Sequence, residues 1–178
     1  MIDWRWTKVD TLEKQERWNE AILLLENSWR QNPNDLKSTI RLGFICWYIL
    51  VEEGPLGIKN IDLEKLETLL NEITQFGLTN FITNKDFLWC FGYMMSLFPY
   101  FFGDYEIWEE KGLLMLKTAY ELCPDDPIYK YTYSGSYSNN ERKLKEELHH
   151  VQAVLEERFQ GEGILSEYFK DVWRINRA

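Results

Sequence analysis

Histidine is nearly missing from this chain of 178 residues: there are 2, His149 and His150, and they are adjacent. Neighbouring residues on a helix diverge by about 100 degrees, so these two cannot converge on one metal ion or one substrate. Cysteine is almost as scarce, with Cys46, Cys90 and Cys123 in apolar surroundings and no C-x-x-C pair. An odd, scattered set of this kind argues against a disulfide framework or a cysteine-based zinc site, and buried thiols are expected. No G-x-S-x-G turn and no phosphate-cradling glycine loop is present. Long apolar runs are missing as well. One long uncharged run, FLWCFGYMMSLFPYFF, has 16 residues with Gly92 and Pro99 inside it, and a spanning helix needs roughly 20 apolar residues. It reads as a buried helix that Pro99 ends. The opening MIDWRWTKVD has no apolar core of a secretory signal, so the cytoplasm is the expected location and no membrane association is expected.

Positive charge is short in one place. The formal net charge is -9, and residues 52 to 126 hold 14 acids against 5 bases while the segments on either side are balanced. Such a field repels phosphate backbones and attracts basic surfaces, which disfavours nucleic acid and favours a basic protein partner. The plainer alternative is an acidic surface that serves solubility alone.

What the chain has in quantity is aromatic surface: 8 Trp, 10 Tyr and 10 Phe. A core or a partner must bury it. Apolar residues recur at helical spacing almost throughout, and no strand pattern appears. Trp18, Ala21, Ile22, Leu25 and Trp29 mark a helix that starts after Thr11 and stops at Asn32-Pro33. A second runs from Leu36 to a break at Gly54-Pro55, and a third opens at Asn60 or Asp62 and closes at Gly77. Asn84 caps a fourth. Gly103-Asp104 leads into a fifth that ends at Pro124. Residues 128 to 140, rich in Tyr, Ser, Gly and Asn, read as an irregular or weakly helical segment followed by a loop, with Tyr131, Tyr133, Tyr137, Ser134, Ser136 and Ser138 as adaptable contact residues if the loop binds anything. Asn140 caps a long helix. A last one, ILSEYFKDVWRI, puts Leu165, Tyr168, Phe169, Val172 and Trp173 on one stripe and is expected to cap the end of the molecule.

Two segments share a spacing: Ala21, Leu25, Ser28, Pro33 and Gly112, Leu116, Ala119, Pro124. Small residues let two helices approach, a large one fills the groove, and the proline fixes the turn. This resembles the tetratricopeptide repeat family, as do Leu42-Gly43 nine and ten residues after Pro33, and Phe91-Gly92 more loosely. The resemblance covers residues 12 to 135 and is degenerate, since residues 55 to 80 carry no such series. It implies an all-α fold, a right-handed stack of antiparallel helical hairpins, with helices over residues 140 to 176 closing a single domain of residues 1 to 178. It also implies a concave face lined by Lys37, Ile40, Arg41, Phe44, Trp47 and Tyr48, then by Asp86, Trp89, Tyr93 and Leu97. Lys37 and Arg41 resemble part of the clamp with which family members hold a terminal carboxylate, but Trp6 and Asp10 stand where its other donors belong. Phe44, Trp47 and Trp89 can equally be core.

Catalytic chemistry finds little support. Glu147 and His150 form one E-x-x-H pair, with no second pair to complete a di-metal site. The paired acids diverge on their helices and cannot act together as acid and base. The expectation is therefore a non-catalytic protein-binding module without cofactor or metal. Lys37, Arg41, Phe44, Trp47, Tyr48, Trp89 and Tyr93 would form its groove, and Glu106, Glu109, Glu110, Asp125 and Asp126 would steer a partner with a basic surface. One alternative, by analogy of size and charge, is an immunity or antitoxin protein that neutralises a basic nuclease; another is an enzyme without a recognisable motif.

Overall fold

A computed structural model describes residues 1–137 and 140–174. Among these, every regular element is helical: α1 (Thr7–Lys14), α2 (Trp18–Gln31), α3 (Leu36–Leu56), α4 (Leu63–Asn80), α5 (Lys85–Leu97), a 3-10 turn (Pro99–Phe101), α6 (Tyr105–Leu122), α7 (Pro127–Tyr137), α8 (Glu141–Arg158) and α9 (Ile164–Trp173).

Short acceptor side chains start most of them, each taking one of the backbone N–H groups that a helix leaves without an internal partner. Asp35 accepts from Ser38, Asp62 from Lys65, Asn84 from Asp86 and Phe87, Asp104 from Ile107, and Asn140 from Lys143. Asp62, not Asn60, thus opens α4.

Four boundaries differ from the sequence expectation. The first helix is two, α1 and α2, joined through Glu16 at φ 55. α3 runs through Gly54 and Pro55 because Pro55 lies in the exposed last turn, where one missing N–H matters little, and Gly57 at φ 62 closes it. α4 continues past Gly77 to Asn80; this glycine ends nothing but gives the Phe87 ring room against the helix. The segment from residue 128, expected to be irregular or weakly helical before a loop, is helical as α7 to Tyr137, held by Asp126, whose Oδ1 accepts the N–H groups of Ile128 and Tyr129. Ser138 lies outside the described residues.

Most consecutive helices pack on one another, α5 on α6 most extensively, and α3 packs directly on α5 across the intervening α4 in sequence. The α5–α6 approach depends on glycine at both positions of the crossing. A Cβ on Gly92 would lie 2.9 Å from the Gly112 carbonyl oxygen, and one on Gly112 would lie 2.7 Å from the Ser96 nitrogen. Ala21, Leu25, Leu116 and Ala119 of the shared series are all buried. Cys46 and Cys90 are buried free thiols, and burial pushes both pKa values up. No helix among the described residues is long and apolar enough to cross a membrane.

The last helix does not cap an end. It runs across α1, α3, α5 and α7 in turn. Ile164 meets Glu13 of α1, Tyr168 and Phe169 meet Phe44 of α3, Phe169 lies 4.8 Å from Trp89 of α5, and Trp173 lies 6.2 Å from Tyr131 of α7. Val172, expected inward, is exposed.

Candidate binding site

Most of the nominated groove is interior. Phe44, Trp47 and Trp89 are at most 1% exposed, because α9 lies over them. Tyr168 packs edge-on against Trp47 at 5.7 Å, and Phe169 sits between Phe44, Trp89 and Phe159 at 4.8 to 5.6 Å. Tyr48 and Tyr93 stay half-buried at the margin of α9, and the Tyr93 and Tyr168 hydroxyls are 3.1 Å apart. Burial, with Tyr168 second, pushes the Tyr93 hydroxyl well above its usual range. Helix periodicity put these aromatics on one face, as expected. What a sequence read helix by helix did not show is that the stripe of α9 is the complement of that face.

Arg41 is corrected in the same way. It is 1% exposed, and both of its terminal nitrogens donate inside the chain. Nη1 donates to the Trp4 carbonyl at 2.7 Å, while Nη2 donates to Asp10 Oδ1 at 2.9 Å and to both Glu13 oxygens at 2.9 and 3.0 Å. Two carboxylates on one guanidinium leave an excess negative charge. The start of α9 meets it: the Ile164 N–H donates to Glu13 Oε2 at 2.8 Å, where the helix dipole is positive. Burial raises the pKa of Glu13, with the Arg41 charge opposing. Gly163 makes the approach possible, since a Cβ there would lie 2.5 Å from both Asp10 Oδ1 and Glu13 Oε2. A carboxylate-binding arginine was therefore legible; that its carboxylates are the chain's own was not. Lys37 donates to the Arg5 carbonyl at 2.7 Å and lies over the Trp6 ring at 5.6 Å.

The acidic candidates divide. Glu106, Glu110 and Asp125 are exposed, Glu109 is half-buried, and none of the four takes part in an ion pair among the described residues. On the same helix Ile107 and Leu114 are 61% and 58% exposed. Asp126 is committed to structure: besides starting α7 it accepts from Arg158 Nη2 at 2.6 Å, and Arg158 also lies over the Tyr129 ring at 5.0 Å.

Two nominated residues, Tyr93 and Glu109, meet in one cavity of about 350 Å³ between α5, α6, α7 and the end of α9. Ser96, Leu97, Leu113, Tyr131, Ser136 and Trp173 also line it. Tyr131 and Ser136 were marked in the sequence by composition, but as loop residues; they reach the cavity on a helix. A larger groove of about 650 Å³ lies between α1 and α2, with Lys8, Arg17, Glu20 and Leu23 on its walls. His149 and His150 are exposed on α8. No group of three His, Cys, Asp or Glu side chains among the described residues is placed to hold a metal ion. No family model, no curated protein and no solved structure matches the chain.

Proposed function

We propose that the chain is a non-catalytic protein-binding module of tetratricopeptide-like build, whose inner face is filled by its own α9 and whose partner, basic in charge, is met by the acidic surface of α6 and the following turn. The observation that carries this reading is the division of the nominated residues. Phe44, Trp47 and Trp89 are consumed in folding, whereas Glu106, Glu109, Glu110 and Asp125 have no ion pair among the described residues. Unneutralised acids on one side of a protein raise the encounter rate with a basic surface, and exposed apolar residues among them, here Ile107 and Leu114, give an encounter something to bury.

The test is capture from a lysate of the source cell by the wild-type chain and by a Glu106→Lys/Glu110→Lys double variant, at low and high salt. One stoichiometric basic protein held by the wild type, associating more slowly and with weaker salt dependence in the double variant, is the expected result. Equal capture by both chains at both salts would remove the acids from the account. Both substituted positions are exposed, so the melting temperature should be nearly unchanged.

A further inference from the structure

The cavity between α5, α6, α7 and the end of α9 presents serine and threonine oxygens beside the Tyr131 hydroxyl and the Trp173 indole N–H. Each of its serine and threonine hydroxyls already gives its only proton to a main-chain carbonyl: Ser96 to Tyr93 at 3.0 Å, Thr132 to Ile128 at 2.9 Å, and Ser136 to Thr132 at 2.9 Å. What they have left is lone pairs. Among the described residues that line the cavity, Glu109, an acceptor when ionised, is the one acid, and none is basic. Close by, Glu147 of α8 is 5% exposed; among the described residues neither of its oxygens accepts a hydrogen bond, and Lys143 Nζ lies 3.8 Å away. Burial first, and then the Glu147 charge, push the Tyr131 hydroxyl up, so that negative charge is felt at the cavity wall.

The remaining walls are the faces and edges of Tyr93, Tyr131 and Trp173 and the side chains of Leu97 and Leu113. Its volume, about 350 Å³, is at the small end of the range for ligand clefts. A guest that fits must bring donors, carry positive charge, lie flat against rings and have an apolar stem. Guanidinium has five N–H donors and stacks on aromatic faces, and a three-carbon stem suits the leucines. We propose that this cavity receives one arginine side chain of the partner protein, a proposal that rests on the binding reading above and gives it a point of attachment. The acids outside would bring the basic surface in, and the cavity would hold one residue of it.

The probe is the blocked tripeptide acetyl-Gly-Arg-Gly-amide, compared with its lysine and citrulline counterparts, with the Trp173 indole N–H followed by NMR. Citrulline keeps the shape and loses the charge. The expected result is a saturable shift of Trp173 with the arginine peptide, weaker with lysine and absent with citrulline. Glu109→Gln should weaken the arginine peptide about tenfold, the scale of one charge-assisted hydrogen bond, while Glu64→Gln, at an exposed acid of α4 that does not line the cavity, should leave it unchanged. A second variant guards against misfolding. A Cβ built on Gly135, which also lines the cavity, has nothing within 4 Å, so Gly135→Leu should fill the cavity and abolish the shift with no loss of melting temperature.

Equal shifts with arginine and citrulline, indifference to Glu109→Gln, or shifts spread evenly over the α6 acids would each overturn the proposal. If the peptide is ignored while the wild-type chain still captures a basic protein through Glu106 and Glu110, the arginine slot is wrong and the acidic-surface reading stands. If the shift occurs as expected while capture is indifferent to those two acids, the slot stands and the steering reading fails.

Discussion

At the scale of single residues, the Arg41 cluster decides how the two ends of the described chain are joined. Glu13 is ionised only against the cost of burial, which Arg41 and the Ile164 N–H reduce. Its folded-state pKa lies above the unfolded one, so between the two values the folded state binds more protons and stability falls as pH rises. Comparing melting temperature against pH for the wild type and Glu13→Gln isolates this term. The wild type should lose stability relative to the variant as pH climbs from the ordinary glutamate range through the raised value. A difference that does not change with pH would mean Glu13 titrates normally. Gly163→Ala acts on the same cluster by volume. Its methyl would arrive 2.5 Å from two carboxylate oxygens, and the resulting displacement of a buried ion pair should cost about 3 kcal/mol, readable in a denaturant titration.

At the scale of elements, helix existence could be read from the sequence, and helix boundaries could be read where the cap was a short polar side chain. Asn84, Asp104 and Asn140 each accept the backbone N–H that such a cap is expected to take. The misread ends of α3 and α4 share one cause, which is that glycine and proline have more than one use. Gly77 and Gly57 are both glycines near a helix end, but Gly57 is left-handed and stops α3, whereas Gly77 makes room for a ring. Residues 127 to 137 failed differently: their intrinsic preference for helix is weak, and burial of Ile128, Tyr129 and Thr132 against neighbouring helices overrides it. The candidate site was half legible. Periodicity grouped Phe44, Trp47 and Trp89 on one side, but no local pattern says whether such a face meets solvent, a partner or a distant segment of the same chain. α9 supplies the answer here. Phe169→Ala removes the ring at the centre of that packing and should cost about 3–5 kcal/mol in urea or guanidinium unfolding; a loss under about 1 kcal/mol would mean α9 is loosely seated.

At the scale of the whole molecule, the division between an aromatic interior and an acidic exterior makes the functional reading economical. The face that carries Phe44, Trp47 and Trp89 is closed by α9, which reaches from Glu13 at one side to Tyr131 at the other. Under the proposed function, binding would fall to the exposed surface of α6 and to the cavity that α9 leaves open beside Trp173. Were α9 to detach readily, Phe44, Trp47 and Trp89 would become a docking face, and the roles of inside and outside would reverse. The distinction is a free energy of local opening, and amide hydrogen exchange measures it residue by residue. If α9 is part of the cooperative core, the amides from Tyr168 to Trp173 exchange under native conditions as slowly as those from Phe44 to Trp47, both limited by global unfolding. Exchange in α9 orders of magnitude faster than in α3 would show that the inner face opens on its own and would contradict the account.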